Sequence, residues 1–550
     1  MKNTSFYLLA AITLLAAFLR LYRLDSIPPG INRDEASIGI TASSLVMTGK
    51  DEYGKVLPLS FESFGDWKLP LYIYTTIPFI KIFGLSEIAV RLPSALAGIA
   101  SVVAIYFLGY ALFASETIAL IASLSLALMP WHIHISRVES EAIVAVFFTI
   151  VGSIYFLKAM KNKSLSLLIS SATLFALTYY TYHGNHISTS LILIGLFAIY
   201  WKDIIKIPRW WMSFCVGVLI TGIILAYTLS ADHTKISGIS IFGDPTVIHT
   251  KIELPRLSHD TPNAIITKLI HNRFTYAIIT IGHNYLKSYG PDFLFIQGGG
   301  NRAHNIMGYG NLHGIESLTL LLGFSWIILH IFTQTFNKQK EATYLMWWIL
   351  LSGIASAITK DAPHSNRMLI VVPALAITTG IGVHFLIYSS SRLWKKIAII
   401  VLILGYIGGM SHYLDEYFVH FPKTEAASWG YAYKKLTPIL FSKENRNKNI
   451  IMTHPESSPY AYILFYSGYN LSEYQKQAKR YPISRDGYTD VSGFGRFSFR
   501  PINWDTDTTV PNTLLVTTAK EAPSALDPKV ISRISLPTGQ IQFVVMDTDK

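Results

Sequence analysis

Two adjacent carboxylates, Asp34 and Glu35, follow shortly after the first long apolar run of the chain, residues 6–24. A carboxylate can remove the proton of a hydroxyl that attacks a carbon centre, and a second carboxylate can hold that hydroxyl or a divalent metal. Charged groups next to a bilayer are costly, so their presence indicates a function. A helix N-cap at Asp34 is the structural alternative, and the spacing alone favours neither explanation.

Cations that could bind a phosphate occur at two further places. Lys68 precedes a Pro-bounded apolar stretch, where a lysine can bind phosphate as a point charge. A lysine that snorkels to the membrane interface is the more common explanation of such a position. Arg137 lies in the short segment 131–141, and its guanidinium could bind a phosphate with two parallel hydrogen bonds.

The segment of Arg137 also contains two acids, Glu139 and Glu141. Either could face Asp34 across a cleft. The structural alternative is a capping box, because Ser136 is followed three residues later by Glu139.

Other polar side chains that could contact a substrate are spread along the chain. His183 lies in the sequence 182–186, His304 follows the glycine run 298–300, and Arg367 ends the sequence 361–367. The glycine run could form a backbone loop around a ligand, although a flexible linker is the more common explanation.

The composition is that of a polytopic membrane protein. Of the 550 residues, 51% are hydrophobic and 15% are charged, and runs of apolar residues recur up to about residue 410. In a soluble chain the net charge of +12 would suggest nucleic acid as a partner. Basic cytoplasmic loops and a lipid-phosphate site explain the charge here, so no nucleic acid partner is predicted. With Cys215 as the single cysteine, an intrachain disulfide is excluded.

About eleven membrane spans can be placed. They are 6–24, 88–112, 116–130, 141–158, 165–182, 186–201, 210–229, 315–335, 343–359, 367–389 and 396–411. Lysine and arginine recur in alternate gaps, which predicts a cytoplasmic N-terminus. All four clusters of polar residues then face the extracytoplasmic side of the plasma membrane.

Hydropathy divides the chain into two parts. Residues 1–422 contain the spans together with two long outer segments, 25–87 and 230–314. Residues 423–550 carry short β-like runs at 449–452, 497–500, 513–517, 530–536 and 540–546, with helical stretches at 461–468 and 472–478. The sequence therefore predicts a small extracytoplasmic mixed α/β domain at the C-terminus.

Short motifs recur in the order found in one superfamily. They are Arg33-Asp34-Glu35-Ala36, Lys68-Leu69-Pro70-Leu71-Tyr72, Arg91-Leu92-Pro93-Ser94, Ser136-Arg137 with a following acid, Asn284-Tyr285-Leu286, Pro291-Asp292-Phe293, Gly298, His304, Tyr417-Phe418 and Phe421-Pro422. Together they resemble the GT-C glycosyltransferases, and most closely the bacterial family-39 group of protein O-mannosyltransferase-like and lipid A aminoarabinose transferase-like enzymes. The resemblance covers about residues 1–430.

The resemblance implies an inverting, single-displacement transfer from a polyprenyl-phosphate-linked sugar. The acceptor would be a protein, a lipid or a glycan, and membrane lipid would surround the spans. Metal use varies within the superfamily, so a divalent metal is left open as a cofactor. The implied roles are Asp34 as the base, with Glu35 as the second catalytic carboxylate, Lys68 and Arg137 as donor-phosphate ligands, Glu141 or Glu139 as the second-loop acid, and Arg91, His183, His304 and Arg367 as substrate contacts.

Two other classes of membrane protein would show different sequence features. A membrane transporter or lipid flippase should show internal repeats and charged or broken segments at mid-membrane. Here the charged clusters lie in the outer segments, and no repeat is visible in the spans. A non-catalytic membrane protein that displays the C-terminal domain would leave residues 33–35 and the long outer segments unexplained.

Overall fold

The structure is a computed structural model that describes residues 3–231, 238–244, 246–333, 338–389, 391–453, 458–483 and 489–550. The chain forms two compact units. Unit 1 comprises Met1–Tyr22, Ser94–Ser136 and Ser140–Tyr413, and unit 2 comprises Arg23–Pro93, Arg137–Glu139 and Leu414–Lys550. The boundaries of these units differ from those of the two predicted domains, residues 1–422 and 423–550. The division into those two domains remains a prediction.

Most of the described chain is helical. The α-helices of six or more residues in the described part of the chain are α1 (Asn3–Leu21), α2 (Arg33–Thr48), α3 (Pro70–Phe83), α4 (Glu87–Phe113), α5 (Glu116–Leu128), α6 (Pro130–Ser136), α7 (Glu141–Asn162), α8 (Leu165–Thr178), α9 (Asn185–Ile204), α10 (Trp211–Ala231), α11 (Ile265–Ile270), α12 (Arg273–Ser288), α13 (Glu316–Thr333), α14 (Gln339–Ser352), α15 (Val372–Ser389), α16 (Arg392–Asp415), α17 (Tyr431–Leu440), α18 (Pro459–Ser467) and α19 (Leu471–Gln477). Single-turn α-helices lie at Leu254–Leu257, Ile354–Ala357, Ser365–Met368 and Phe421–Thr424.

Each of the eleven predicted spans coincides with a helix. Among the described residues, eight helices are long and apolar enough to cross a membrane, and the bent pair α5–α6 would make a ninth. Helices α8 and α14 fall short because each has 14 residues, and 14 residues rise only about 21 Å. The prediction of a polytopic helical protein is confirmed, and the number of full-length spans is lower than predicted.

The fifth and sixth helices form a bent pair with a proline at the break. Pro130 lacks an amide N–H and disfavours helical geometry at the preceding residue, and the two helices meet at 59°. A helix end in hydrocarbon exposes unpaired carbonyl groups. The buried guanidinium of Arg20 donates to the carbonyl oxygens of Leu126 and Ala127, at 3.1 Å each, and so satisfies them.

Close helix packing in unit 1 depends on small residues. Helix α15 packs against both α5 and α13. A Cβ atom on Gly382 of α15 would lie 1.8 Å from the carbonyl oxygen of Thr319 on α13. Only glycine allows the two backbones to approach this closely, which is the usual means of helix association in membranes.

The first loop of unit 2 begins with helix α2. Its apolar residues Ile38, Ile40 and Leu45 are at most 7% exposed, because α2 packs against α3 and α18. The apolar residues of this stretch recur at helical spacing, which predicts an interfacial helix lying along the bilayer. The helix is confirmed, but its apolar side chains are buried within the protein and not in lipid.

The loop continues with a hairpin of two short strands, β1 (Phe61–Ser63) and β2 (Asp66–Lys68). They pair antiparallel, with Phe61 opposite Lys68. The turn residues Phe64 and Gly65 both have positive φ, at 54° and 79°. Glycine adopts this conformation without strain, so the tight turn fixes the direction of β2 and of Lys68.

The C-terminal part of unit 2 contains a seven-stranded mixed sheet. Its strands are β3 (Asn449–Met452), β4 (Lys479–Arg480), β5 (Val491–Phe494), β6 (Phe497–Phe499), β7 (Thr513–Thr518), β8 (Val530–Ser535) and β9 (Ile541–Asp547), in the order β4-β5-β6-β3-β7-β9-β8. Strand β3 is parallel to β6 and β7, and the other pairs are antiparallel. The five predicted strands and both predicted helices are therefore confirmed.

A buried carboxylate ties the first loop to this C-terminal part within unit 2. Glu52 is 1% exposed and accepts hydrogen bonds from the hydroxyl groups of Tyr460 on α18, at 2.7 Å, and Tyr474 on α19, at 2.9 Å. Burial raises the pKa of Glu52 above its ordinary value, and these two hydroxyls and Arg480 offset that effect only in part. The ionised form of Glu52 is thus less favourable in the folded protein than in the unfolded chain.

The raised pKa predicts a pH dependence of stability. A carboxyl group whose pKa is higher in the folded state contributes most below its unfolded-state pKa, and this contribution is lost as pH rises through the folded-state pKa. We expect Glu52→Gln to flatten the fall of the melting temperature between about pH 4 and pH 8. The measurement is thermal unfolding of the purified protein across that range. Glu473→Gln on the exposed face of α19 is the control, and an unchanged slope in Glu52→Gln would contradict the assignment.

Candidate active site

Asp34 lies in the first turn of α2, and its neighbour Asn32 begins the helix. The Asn32 side chain accepts from the backbone N–H of Glu35 at 2.8 Å, and the Glu35 carboxylate accepts from the backbone N–H of Asn32 at 3.2 Å. This reciprocal capping box belongs to Asn32, so the N-cap alternative for Asp34 is wrong. The Asp34 carboxylate lies at the positive end of the helix dipole.

Asp34 and Lys68 meet as an ion pair in unit 2. The Lys68 Nζ donates to Asp34 Oδ1 at 2.7 Å. The lysine side chain is only 5% exposed, whereas that of Asp34 is 52% exposed. Asp66 lies 3.9 Å from the same Nζ, and the Phe64 ring lies 5.7 Å away. The pair therefore places a half-exposed carboxylate beside a buried cation that also contacts Asp66 and Phe64.

Glu35 and Arg91 form a second ion pair that is fully buried. Both side chains are 0% exposed, and Arg91 contacts Glu35 through Nε–Oε1 and Nη2–Oε2 hydrogen bonds of 3.0 Å each. The Glu35 carboxylate also accepts from the backbone N–H of Glu139 at 2.9 Å. Because Glu35 is enclosed in this way, its geometry supports a positioning role for the carboxylate.

The guanidinium of Arg91 also organises the chain that enters α2. Its Nη1 donates to the carbonyl oxygens of Leu24 at 3.0 Å and Pro28 at 3.2 Å, and its Nη2 donates to that of Gly30. A Cβ atom on Gly30 would lie 2.2 Å from the carbonyl oxygen of Trp429, so only glycine fits there. Arg91 thus fixes the backbone that precedes Asp34, and it is buried away from solvent.

Arg137 lies in the same unit and is also fully buried. Its Nη2 donates to the carbonyl oxygen of Ile27 at 3.0 Å, and its Nε donates to the Tyr417 hydroxyl at 3.3 Å. The guanidinium stacks over the rings of Tyr417 and Phe418, at 5.3 and 5.0 Å from the ring centroids. These contacts hold the segment of Glu139 against the entry to α2, and a role in phosphate binding remains a prediction.

The remaining sequence-predicted residues lie in unit 1. Glu141 begins α7 with Ser140 as the N-cap residue, and Ser136 is the last residue of α6, so the capping-box alternative for Ser136 and Glu139 is wrong. His183 contacts His186, with ring centroids 5.4 Å apart.

His304 and Arg367 meet in one polar cluster of unit 1. The His304 ring lies 5.1 Å from that of His364, and Arg367 pairs with Asp361. Burial alone would raise the pKa of Asp361, but the charges of Arg367 and His364 hold it below its usual value. The cluster is a candidate polar contact surface.

A metal site does not emerge from the described residues. They contain no group of three or more histidine, cysteine, aspartate or glutamate side chains that could hold a metal ion.

Comparison with known proteins supports the architecture. The family model of dolichyl-phosphate-mannose-protein mannosyltransferase matches residues 10–231. The structure of ArnT from Cupriavidus metallidurans bound to undecaprenyl phosphate aligns over 100% of this chain and 98% of its own, with a TM-score of 0.53 and 12% identity. The fold is that of the GT-C glycosyltransferases.

Two further relatives agree with this result. The archaeal oligosaccharyltransferase AglB from Archaeoglobus fulgidus aligns over 84% of this chain and 64% of its own, with a TM-score of 0.53 and 12% identity. YycA of Bacillus subtilis (strain 168), provisionally named a mannosyltransferase, is 28% identical over 173 residues. That match spans 31% of this chain and only 24% of YycA. The resemblance to the GT-C superfamily that the sequence motifs predicted is confirmed.

Sequence reasoning missed several residues that shape the site. Asn32 as the helix cap, Tyr417 as the partner of Arg137, and Trp429 next to Gly30 are examples. Tyr417 lies in one of the superfamily motifs, which was a signal for its importance but not for its contact. Asn32 lies three residues before Glu35, which is the spacing of a capping box and was an available local signal. The contact of Gly30 with Trp429 joins distant parts of the chain and leaves no local pattern.

Proposed function

We propose that this GT-C protein is a membrane glycosyltransferase that moves a sugar from a polyprenyl-phosphate donor to an acceptor hydroxyl, with inversion. The observation that carries the proposal is the ion pair of Asp34 and Lys68, in which a half-exposed base adjoins a buried cation. A transfer of this kind needs both groups at the same place. The base takes a proton from the acceptor, and the cation stabilises the departing phosphate.

The step involves one bond made and one broken. The acceptor oxygen attacks the anomeric carbon of the sugar, and the bond from that carbon to the phosphate oxygen breaks. The acceptor proton passes to Asp34, and the bonding electrons leave with the lipid phosphate, which gains a negative charge. Lys68 offsets that charge, so the leaving group needs no general acid.

The ion pair also orients the Asp34 carboxylate before the donor binds. Without donor, Lys68 holds the Asp34 carboxylate in place through the 2.7 Å hydrogen bond. A bound phosphate competes for the Nζ of Lys68, which weakens the hold on Asp34. Glu35 and Arg91 act behind this pair as positioning residues.

The proposal extends to location and orientation. The basic gaps between spans support a cytoplasmic N-terminus, which puts the first loop and the C-terminal sheet on the extracytoplasmic face of the plasma membrane. Reaction there suits a donor whose polyprenyl chain remains in the bilayer. The acceptor is a protein, a lipid or a glycan that reaches this face.

The test is incubation of the purified protein with undecaprenyl- and dolichyl-phosphate sugars and measurement of released lipid phosphate. We expect at least one donor to be turned over, and Lys68→Gln to raise the donor KM by about 10- to 100-fold, since a hydrogen bond to a charged group contributes about 1.5–3 kcal/mol. Lys55→Gln is the matched control, because Lys55 lies in the same loop and pairs with Glu62 at 3.6 Å. An equal effect of both substitutions would argue against a phosphate site at Lys68.

A further inference from the structure

Helix α12 is amphipathic, and its apolar face is exposed whereas its polar face contacts the rest of the protein. Among the described residues of α11 and α12, an apolar strip consists of Ile266, Leu269, Phe274, Ile278, Ile279 and Leu286, which are 56–73% exposed. A helix on the surface of a water-soluble protein turns its apolar face inward and its polar face outward. The arrangement here is the reverse.

The polar side chains of α12 make the contacts with the protein. Asn284 is 9% exposed and donates to the carbonyl oxygens of Ala357 at 3.0 Å and Thr359 at 3.2 Å. Tyr285 donates to the carbonyl oxygen of Leu350 at 2.8 Å, and Ser288 is fully buried. These hydrogen bonds fix the rotation of the helix, so the strip has to face outward.

The charge around the strip identifies its surroundings. Residues 246–290 contain five lysines or arginines and two carboxylates, a net charge of +3. Lys268, Arg273 and Lys287 are exposed and lie near or at the ends of the two helices. An apolar face flanked by cations is the pattern of a helix that lies in a membrane interface containing anionic lipid.

We propose that α11 and α12 lie in the interface of one membrane leaflet, with the apolar strip in the acyl-chain region and Lys268, Arg273 and Lys287 on the headgroups of anionic phospholipids. The helices connect α10 to α13, both long and apolar enough to cross a membrane, so a bilayer is adjacent to them. This inference does not depend on the transferase activity. It assigns a lipid-binding surface to the second long outer segment.

The test places a fluorescent label on the strip of the full-length protein. Cys215→Ser removes the single cysteine, and Ile278→Cys then carries the label in nanodiscs of phosphatidylcholine and phosphatidylglycerol in equal parts. Leu404→Cys, 62% exposed on a candidate span, is the lipid reference, and Gln540→Cys in the C-terminal sheet region is the water reference. Quenching by a lipid-attached nitroxide should be at least about threefold stronger at position 278 than at 540.

Two results would overturn the proposal. Equal quenching at positions 278 and 540 would mean that the strip faces water. Protection of position 278 from both the lipid-attached nitroxide and aqueous iodide would mean that protein, such as a second copy of the chain, covers it.

The charge requirement has a separate measurement. Nitroxide on phosphatidylglycerol should quench the label at position 278 more strongly than nitroxide on phosphatidylcholine. Changing Lys268, Arg273 and Lys287 together to glutamine should reduce this excess by about fivefold or more. The same change at Lys476, Lys479 and Lys520, which are exposed in the C-terminal region, is the control. An excess that the first triple variant leaves unchanged would refute the anionic-lipid assignment.

Discussion

Asp34→Asn is expected to lower kcat for sugar transfer by about 10²- to 10⁴-fold, because an amide cannot accept the proton of the acceptor hydroxyl. The amide oxygen can still accept the hydrogen bond from Lys68, so the hairpin and α2 should keep their positions. Release of lipid phosphate by the purified variant is the measurement. The melting temperature should stay close to that of the unmodified protein.

Asp66→Asn is the matched control for this experiment. Asp66 lies 3.9 Å from the Lys68 Nζ and is the second acid beside the same cation. Its loss should change activity far less, because it is not proposed to contact the acceptor. Near-normal turnover by Asp34→Asn, or an equal loss of turnover in both variants, would contradict the assignment of Asp34 as the base.

Arg91→Met is expected to destabilise the protein by about 3–5 kcal/mol, the usual cost of leaving one member of a buried ion pair without its partner. Glu35 would keep a buried charge, and the carbonyl groups of Leu24, Pro28 and Gly30 would lose their shared donor. The double variant Arg91→Met with Glu35→Gln should recover part of the loss, since no charge is then left buried. Thermal or denaturant unfolding of the detergent-purified protein measures both effects.

Arg500→Met provides the comparison for Arg91. Arg500 also forms two hydrogen bonds with a carboxylate, that of Asp507, at 2.7 and 2.8 Å. Its side chain is 39% exposed, so water can replace the lost partner and the cost should be much smaller. If both arginine variants lost the same stability, burial of the Glu35–Arg91 pair would not be the cause.

The parts of the fold that sequence could predict are those with a local pattern. Long apolar runs located a helix at every predicted span, and alternation with turn residues located strands such as Asn449–Met452, whose bounds match the prediction. The motifs of a known superfamily implied roles for Asp34 and Lys68 in one reaction, but not the ion pair that joins them. The length of a helix such as α8 was not, because the hydropathy of a run does not show where its backbone bends or ends.

The roles of buried polar residues were beyond the reach of the sequence. Asp34 and Glu35 are neighbours of the same type, yet one is half exposed and the other is enclosed by Arg91 and the backbone of Asn32 and Glu139. Likewise, the partners of Glu52 lie more than 400 residues away in sequence. The roles of such residues differ only because the folded chain packs differently around each of them, and this packing depends on the whole chain.

The hydrogen bonds between the first loop and the C-terminal region bear on how this architecture can be recombined. Within unit 2, Tyr460 bonds Glu52, the backbone of Thr489 bonds that of Phe64, and Lys434 pairs with Glu87. A chimaera that takes the C-terminal sheet from one homologue and the loop from another would separate each donor from its acceptor. A chimaera designed to exchange acceptor preference between homologues should therefore carry residues 23–93 and 414–550 from the same protein.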